Sequence, residues 1–474
     1  MQISIQADHT NTKTILTLLE EMGYSLPCNC HGSHLCDGRT YPFDCSLVPV
    51  EPVTITLPPS VSGVITGISL EDMVPVNGTG DTILIDLGTT TVAMALMDST
   101  SGELRQTCVF ANPQKQFGSD VISRIHASLS SEKDTLTSTI RNAIADHAAL
   151  LCRKNRQEPD EPAYCYIGGN TAMIHILMGY DCTPLSRSPF TPLETPPPPF
   201  LYKSCRVWIL PWFSAFVGGD VTAGMYACHM EPAASYRNTD TVLLMDLGTN
   251  GEMLLRHNGQ FYSAATAAGP AFEGNGLSCG CPGIPGAISK VRLTPLRPRL
   301  TTIADRLPVG ICGSGAISLC AELLHRGCIT PDGVLTDRFP SQGILLGHSP
   351  AREPLYFTAE DLRQIQLSIA AIAAGIDTLA CEAGITPSDI TNAYLGGGFG
   401  FYLDLESCQT LGLFSSIPIS HIEPMGNTCL RGLFRCACSR DDNTRLTIPA
   451  AHTVDLAEHP FFRQQFISHM TYSG

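Results

Sequence analysis

The stretch DTILIDLGTTTVAMALMD, residues 81–98, carries the clearest structural signal of the chain. An apolar strand ends in Asp-Leu-Gly-Thr, and a turn connects it to a second apolar strand. A second stretch, DTVLLMDLGTNGEMLLRHNG at residues 240–259, repeats this order of strand, Asp-Leu-Gly-Thr, polar turn and strand. Asp86 and Asp246 lie 160 residues apart (246 − 86), so the repeated unit has the size of a domain. The sequence therefore predicts a duplicated α/β architecture.

The two repeated loops have the chemistry of a metal-nucleotide site. A carboxylate at a strand end can hold magnesium or its water ligands. The glycine that follows lets the backbone approach phosphates, and threonine hydroxyls and backbone N–H groups can donate to them. The downstream triplet Gly396–Gly398 can form a flat floor for an adenosine. We expect the two loops to face each other across a cleft, in a site that is neither a Walker loop nor a dinucleotide fingerprint.

Further signals place secondary structure around these loops. Residues 119–153 read as helical, and YCYIGGNT at 164–171 reads as a strand that ends in a glycine turn. Residues 191–200 form a proline-rich surface loop, and ITPSDITNAYLGGGFGFYLD at 385–404 again reads as a strand followed by glycines. These segments indicate strands and helices in alternation, as in α/β proteins.

The chain is predicted to divide into five parts. Residues 1–59 form a small cysteine module, 60–80 a linker rich in Gly, Ser and Pro, 81–235 and 236–440 two lobes, and 441–474 a tail without a clear pattern. A chain of 474 residues is too long for one core, which agrees with several domains.

Composition and charge narrow the class of protein and its partners. Charged residues make up 15% and hydrophobic residues 43%, which is typical of a well-buried globular enzyme. A net charge of −15 argues against nucleic acid or an anionic membrane as the main partner. No apolar run approaches the roughly 20 residues that span a bilayer, and the N-terminus lacks a basic-then-apolar signal. We expect a cytoplasmic protein.

Four of the twenty cysteines lie close together near the N-terminus. They are Cys28, Cys30, Cys36 and Cys45, spaced C-x1-C-x5-C-x8-C. Four thiolates in one short loop can hold an iron–sulfur cluster, which we favour. The alternative is a tetrahedral zinc site made of four cysteines or including His31 or His34. Flanking strands are predicted at residues 2–6 and 53–59, with a helix at 13–22.

Two further cysteine pairs occur in the main body. Cys279 and Cys281 are separated by one residue, as are Cys436 and Cys438. Residues two apart lie on the same face of an extended segment, so metal binding is geometrically open for both pairs. Because nothing nearby completes a ligand set, we favour a structural role for them.

Several longer stretches carry a resemblance to a known family. They are GGNTAMIHILMGYD (168–181), LPWFSAFVGGDVTAG (210–224), AAGPAFEGNGLSCG (267–280), PGAISKV (285–291), GICGSGAISL (310–319), LRQIQLSIAAIAAGI (362–376) and LGGGFGFYLD (395–404). Together with the two DLGT loops they resemble the reductive activators of corrinoid proteins over residues 80–430. These are ATPases of the actin, heat-shock-chaperone and sugar-kinase superfamily, with a ribonuclease H-like duplicated fold and an N-terminal ferredoxin-like iron–sulfur domain.

The resemblance implies roles for individual residues. It places Asp86, Gly88, Thr89 and Thr90 in the first phosphate loop, Asp246, Gly248, Thr249 and Asn250 in the second, and Gly396, Gly397 and Gly398 at the nucleoside. Asp220, within VGGDVTAG, would orient the attacking water. Hydrolysis of ATP with Mg²⁺ would then depend on positioning and charge neutralisation, with Asp86, Asp220 and Asp246 as the catalytic carboxylates.

The resemblance also aligns part of the cysteine module. The relatives carry a C-x5-C-x2-C loop and a later fourth cysteine before a VTVEIP-like strand. Cys30 and Cys36 match the first two positions and Cys45 matches the last, whereas Arg39 stands at the third. The module is shorter than in the relatives, so the expected cluster is either [2Fe–2S] or [4Fe–4S].

The function implied by the resemblance is ATP-dependent reduction of a corrinoid protein of a methyltransferase system, from Co(II) to Co(I). A low-potential electron donor would supply electrons to the iron–sulfur cluster. Family precedent suggests a homodimer. Two alternatives stay open. One is an activator of another low-potential metalloenzyme, like the 2-hydroxyacyl-CoA dehydratase activators, and the other is a small-molecule kinase with a structural zinc module.

Overall fold

The computed structural model describes the main body with short gaps, and four strand backbones before it. The described residues are 2–5, 33–36, 39–42, 53–56, 80–118, 120–154, 162–193, 196–232, 240–294, 297–336, 339–340, 342–397, 403–439, 446 and 448–472. They form two compact units, Met1–Glu231 with Asn427–Pro449, and Pro232–Gly426 with Ala450–Gly474.

The strands of the first unit are β1 (Gln2–Ile5), β2 (Ser33–Cys36), β3 (Arg39–Pro42), β4 (Val53–Thr56), β5 (Asp81–Leu87), β6 (Thr91–Asp98), β7 (Leu104–Ala111), β8 (Tyr164–Gly169), β9 (Phe200–Tyr202) and β10 (Cys205–Ile209). Those of the second are β11 (Val242–Leu247), β12 (Gly251–His257), β13 (Gln260–Thr266), β14 (Ala287–Arg292), β15 (Arg299–Thr302), β16 (Gly310–Ile311), β17 (Ile344–His348), β18 (Pro354–Phe357), β19 (Asn392–Gly396), β20 (Ile422–Gly426) and β21 (Ala451–Thr453).

The α-helices are α1 (Val121–Ser128), α2 (Lys133–Lys154), α3 (Thr171–Met178), α4 (Gly219–Ala227), α5 (Gly313–His325), α6 (Ala359–Glu382), α7 (Leu405–Thr410), α8 (Thr428–Cys438) and α9 (Pro460–Ser468). Short 3₁₀ helices cover Pro113–Phe117, Thr183–Leu185, Pro270–Glu273, Ile303–Asp305, Pro387–Asp389 and Ile419–His421. The helix and strand predicted for residues 119–153 and 164–171 are confirmed by α1, α2 and β8.

The first unit is built on a six-stranded sheet in the order β7-β6-β5-β8-β10-β9. Strand β5 is antiparallel to β6 and parallel to β8, and β8 is parallel to β10. Successive side chains of a strand point to opposite faces of the sheet. Ile83 and Ile85 therefore pack into the core that includes α2 and α3, whereas Leu84 packs into a second core that includes α4 and α8. Because both faces are covered, β5 is apolar almost throughout.

The second unit repeats this topology. Its six-stranded sheet has the order β20-β19-β11-β12-β13-β21, so β11, β12, β13, β19 and β20 occupy the places of β5, β6, β7, β8 and β10. Strand β11 is antiparallel to β12 and parallel to β19. Helix α6 packs on this sheet so closely that a Cβ added at Gly251 would overlap Ile372. The duplicated α/β fold expected from the repeated loops is confirmed.

Helix α8 belongs to the first unit, although the sequence-based boundaries place residues 236–440 in the second lobe. It packs against α4, where an added Cβ at Gly432 would overlap the Ala223 carbonyl. An apolar helical face predicts burial but does not identify the sheet that it covers, which explains the difference. The sequence-based domain boundaries stay a prediction.

The C-terminal segment has structure that its sequence did not indicate. Strand β21 runs parallel to β13, and α9 packs on α6. His469 Nε2 lies 2.6 Å from Asp377 Oδ2 on α6, and His459 Nε2 lies 3.0 Å from Glu382 Oε1 at the end of that helix. A three-residue strand and a nine-residue helix carry too short a pattern to predict, so tertiary contacts define this region.

Helix α6 is, within the described part of the chain, the one helix long and apolar enough to cross a membrane by length and composition. In its most apolar window, 78% of the residues are buried inside the protein. A Thr358–Asp361 capping box begins the helix, and the Asp361 carboxylate also accepts the Ser278 backbone N–H at 2.7 Å. These contacts are those of a core helix.

The N-terminal strands form a four-stranded sheet in the order β1-β4-β2-β3. The strands predicted at residues 2–6 and 53–59 are confirmed over Gln2–Ile5 and Val53–Thr56, which pair antiparallel. Cys36 ends β2, whereas Cys28, Cys30, Cys45 and the helix expected at 13–22 lie outside the described residues.

Candidate active site

Asp86 lies at the carboxyl end of β5, directly opposite Gly168 on the parallel strand β8. Ligand sites of open α/β sheets form at this end of parallel strands. An added Cβ at Gly169 would overlap the Leu87 carbonyl oxygen, and one at Gly88 would lie 2.7 Å from Thr91 O. These glycines therefore keep the backbone around Asp86 tightly folded, without side chains that would fill the site.

Asn427 connects helix α8 to this carboxylate. Its Nδ2 donates a hydrogen bond to Asp86 Oδ2 at 2.8 Å, while its Oδ1 accepts the Leu430 N–H at 2.7 Å and caps the helix. Burial raises the pKa of Asp86, against the lowering effect of its hydrogen bonds from Asn427 and Cys429. The arrangement fixes one carboxylate oxygen and the start of α8 with a single side chain.

Asp220 is the second carboxylate of the first unit. It lies in the first turn of α4, and its Oδ1 accepts the Val221 N–H at 2.9 Å. Burial, together with the charge of Asp86, raises the pKa of Asp220 to about 7. Two neighbouring carboxylates in a poorly solvated position are stabilised by a cation, which is the property expected of a magnesium-nucleotide site.

The carbonyl groups of the first loop are held by side chains behind it. Arg124 Nη1 donates to Thr89 O at 2.6 Å, and Asn112 Nδ2 donates to Gly88 O at 2.9 Å. The Asn112 backbone N–H donates to Thr90 O at 2.9 Å. Arg124 is only 1% exposed, and burial lowers its pKa to about 10, so it stays charged near neutral pH. Because the carbonyl oxygens of the loop are already hydrogen-bonded behind it, the threonine hydroxyls and N–H groups are the donors that the loop can offer to a phosphate.

Asp246 occupies the equivalent position in the second unit. It lies at the carboxyl end of β11, opposite Gly396 on the parallel strand β19. Gly397 has a φ of +88°, and an added Cβ would lie 2.7 Å from Leu247 O and 2.8 Å from Asp246 Oδ1. The second unit therefore repeats the strand-end carboxylate beside a glycine-only turn.

The second loop is fixed by a short helix. Thr249 Oγ1 donates to Glu273 Oε2 at 3.0 Å, and the Gly269 N–H donates to Thr249 O at 3.0 Å. Within the loop, the Gly248 N–H donates to Asn250 O at 2.9 Å. Because the Thr249 hydroxyl already donates to Glu273, the backbone of this loop is the better source of phosphate donors.

The structure thus divides the predicted residues into two sets, one in each unit. Asp86, Gly88, Thr89, Thr90 and Asp220 lie in the first unit, and Asp246, Gly248, Thr249, Asn250, Gly396 and Gly397 in the second. Gly398 lies outside the described residues. Their roles in binding and hydrolysis stay predictions.

Four supporting residues were missed by the sequence analysis: Asn112, Arg124, Asn427 and Glu273. Each acts on a loop that is 24 or more residues away in sequence. Glu273 lies in the family-like stretch GPAFEG, and Asn427 precedes an apolar helix as a cap residue would. Those are the only signals that could have identified them.

The cysteine pairs of the main body differ from each other. Cys279 and Cys281 flank Gly280, which bridges to Ile311, and burial raises the pKa of both thiols to about 12. Cys436 and Cys438 lie on α8, so the extended-segment geometry considered for them is wrong. Among the residues placed by the structure, no group of three or more His, Cys, Asp or Glu side chains can hold a metal ion.

Comparison with protein families gives two consecutive matches. The model of the RACo middle region matches residues 82–233, and the model of the C-terminal domain of RACo, the ASKHA domain, matches residues 240–474. Together they account for the two repeated sheets.

Individual relatives and a solved structure agree with these models. The corrinoid activation enzyme RamQ of Eubacterium limosum is 29% identical over 443 residues, which are 85% of this chain and 73% of that protein. A [Co(II) methylated amine-specific corrinoid protein] reductase of Methanosarcina barkeri is 30% identical over 252 residues, 48% of this chain and 44% of that protein. A reductive activator for a corrinoid, iron–sulfur protein superposes with a TM-score of 0.72 at 28% identity, over 84% of this chain and 66% of that chain.

Proposed function

The chain belongs to the RACo family of reductive activators of corrinoid proteins, and we propose that it uses ATP to return a corrinoid protein from Co(II) to Co(I). The observation that carries this proposal is the pair of equivalent strand-end carboxylates, Asp86 opposite Gly168 and Asp246 opposite Gly396, within a chain that matches both RACo models. The partner that we propose is the corrinoid protein of a methyltransferase system.

We propose that both loops bind the phosphates of ATP. Bound Mg²⁺ would supply charge neutralisation at the transferring phosphoryl group. Asp86 would hold the ion or its water ligands, with its carboxylate oriented by Asn427. Asp220, the carboxylate beside Asp86, would orient the attacking water and accept its proton. Backbone N–H groups of the two loops would donate to the phosphate oxygens.

We also propose that Cys28, Cys30, Cys36 and Cys45 hold an iron–sulfur cluster of the [2Fe–2S] or [4Fe–4S] type. A low-potential donor would reduce this centre. The protein is further proposed to act in the cytoplasm as a homodimer. These proposals follow from the family and from the cysteine spacing.

The reason for coupling electron transfer to ATP is energetic. For one electron, each 59 mV of uphill potential corresponds to about 1.4 kcal/mol, so a gap of a few hundred millivolts needs roughly 5 kcal/mol or more. A ligand can drive such a step only if it binds the two conformations of the protein with different affinity. Mg-ATP held by the two loops would provide that difference.

The test is reduction of a corrinoid protein by the anaerobically purified activator. Iron and acid-labile sulfide are measured first, together with the visible and EPR spectra. The activator is then mixed with a methylated-amine corrinoid protein in the Co(II) state, a chemical reductant and Mg-ATP. We expect the Co(I) absorbance to appear with ATP and to be absent with ADP.

Three outcomes decide between the alternatives. Iron with matching sulfide, together with ATP-dependent Co(I), supports the proposal. Zinc without sulfide removes the redox function and favours a kinase with a structural metal module. Iron and sulfide with ATP turnover, but no Co(I) with any corrinoid protein tested, favours another low-potential metalloenzyme as the acceptor.

A further inference from the structure

A strongly basic segment stands out on this acidic chain. Residues 290–306, from β14 through β15 to the following loop, contain five of the 29 Lys and Arg residues but only one acidic residue, Asp305. The five are Lys290, Arg292, Arg297, Arg299 and Arg306. This segment, the basic hairpin, has a net charge of +4 (5 − 1), whereas the whole chain has −15.

The strand register places three of the five cations, Lys290, Arg292 and Arg299, on one face of the basic hairpin. Arg292 lies directly opposite Arg299, and Lys290 lies two residues before Arg292. Val291, between them, is 3% exposed, and its N–H donates to Ser318 of α5, so that side of the strand faces the core. Side chains alternate along a strand, so the arginine face points outward, and both arginines are exposed.

This arrangement is unfavourable for the protein by itself. Like charges directly opposite each other on antiparallel strands destabilise the pair. Arg292, Arg297 and Arg299 form no ion pair with any other residue that the structure describes. Lys290 has one distant partner, Asp404 at 3.9 Å, and its own side chain is 61% exposed. Exposed ion pairs of this kind contribute little to the stability of the fold.

Exposed apolar side chains lie next to the basic hairpin. Ile284, Leu307 and Val309 are 42%, 69% and 37% exposed. They are close in space, since the Val309 N–H donates to Gly286 O at 2.9 Å and the Ala287 N–H donates to Ile284 O at 2.9 Å. A mixture of apolar and charged side chains is typical of protein–protein interfaces, whereas a polyanion such as DNA is recognised mainly through its charge.

We propose that the basic hairpin, together with Ile284, Leu307 and Val309, docks an acidic protein surface. Resting on the function proposed above, we assign that surface to the corrinoid protein. A net charge of −15 repels an acidic partner, so a local basic surface would both attract it and fix its orientation. Screening acts over about 8 Å at physiological salt, so the steering must be sensitive to ionic strength.

The first experiment measures reduction of a methylated-amine corrinoid protein at subsaturating concentration, from 20 mM to 500 mM salt. The variant is the triple change Arg292→Gln, Arg297→Gln and Arg299→Gln. Its matched control removes three exposed cations elsewhere, Arg187→Gln, Lys203→Gln and Arg463→Gln. At low salt we expect kcat/KM for the partner to fall about ten-fold or more in the hairpin variant only. The difference should vanish at high salt, with basal ATPase unchanged.

A second experiment uses an acidic peptide, so that the surface can be tested without the reaction. A labelled twenty-residue polyglutamate should bind the wild type at low salt, and the hairpin variant should bind this peptide about ten-fold more weakly than the control variant does. If the wild type reduces no corrinoid protein, the proposed function fails, and this binding result alone decides the docking surface. Equal binding by the hairpin and control variants overturns the proposal.

Two other results also contradict it. Identical salt dependence of corrinoid reduction in wild type and hairpin variant would show that the partner docks elsewhere. The surface would instead be a nucleic-acid site if the wild type bound a labelled 30-base-pair DNA, the hairpin variant did not, and both reduced the corrinoid protein equally.

Discussion

Asn427 Nδ2 donates a hydrogen bond to Asp86 Oδ2 over 2.8 Å, although the two residues are 341 positions apart in the chain. The same asparagine caps helix α8 through its Oδ1. One side chain thus links a helix from the far end of the sequence to the first strand-end carboxylate. This contact gives a specific means of testing the proposed role of Asp86.

Replacing Asn427 with alanine should lower ATP turnover about ten-fold or more, since Asp86 loses the group that orients it. It should also lower stability by about 1 kcal/mol, because the cap of α8 is lost. Asn427→Ser separates the two effects: serine caps a helix well but is too short to reach Asp86. We expect the serine variant to recover thermal stability while its ATPase stays low. Recovery of both would show that the asparagine acts only as a cap.

The stability of the protein without metal and nucleotide should depend on pH through Asp220. Burial and the charge of Asp86 raise its pKa from 3.8 to about 7, so between these values the folded protein holds a proton that the unfolded chain has lost. Stability therefore falls as pH rises over this window. Asp220→Asn does not titrate and should remove that part of the fall.

The measurement is the melting temperature of both proteins in EDTA from pH 4 to pH 8. The advantage of the Asp220→Asn variant should be small near pH 4, grow towards pH 7 and then level off. A difference between the two proteins that does not change with pH would mean that Asp220 is ionised in the fold throughout.

Gly397→Ala should weaken ATP binding. The added Cβ would lie 2.8 Å from Asp246 Oδ1, so the carboxylate or the turn has to move. A suitable control is Gly384→Ala, because Gly384 also has a positive φ but no atom within 4 Å of an added Cβ. Both changes carry the backbone strain of a left-handed residue, about 1 kcal/mol. Only the first should raise the KM for ATP, measured by steady-state hydrolysis.

Asp246→Ala should lower ATP turnover by about a hundred-fold or more. The iron content, the sulfide content and the visible spectrum should stay unchanged. The carboxylate is at the second strand end, whereas the proposed cluster ligands are near the N-terminus. Glu360→Ala, an exposed carboxylate on α6, is the control for removing a negative charge from the same unit. Unchanged turnover in Asp246→Ala would remove the second loop from the site.

Replacing Cys36 and Cys45 with serine should remove iron and sulfide and abolish corrinoid reduction, while ATP hydrolysis persists. Serine cannot supply the thiolates that the cluster needs. Cys381→Ser, at an exposed cysteine of the second unit, controls for general thiol loss. Full iron content in the double variant would exclude both residues as ligands.

Much of the fold followed from sequence because the signals were local. Strands β5 and β11 are apolar runs that end in Asp-Leu-Gly-Thr, and each is followed by a hairpin, as expected. The assignment of α8 to the first unit was not predicted. The packing of β21 and α9 onto the second unit was not predicted either. Such placements depend on which buried surfaces meet, and apolar periodicity alone does not specify that.

The order of residues alone was enough to identify the repeated strand–loop–strand units, the carboxylates Asp86 and Asp246, and the family to which the chain belongs. These are properties of consecutive residues, so the order of the chain is sufficient to read them. The groups that support the loops could be found only in the folded chain, because they are distant in sequence: Asn427 contacts Asp86, Arg124 contacts Thr89 and Glu273 contacts Thr249. Folding also placed Arg292 opposite Arg299, since strand register exists only once two segments pair.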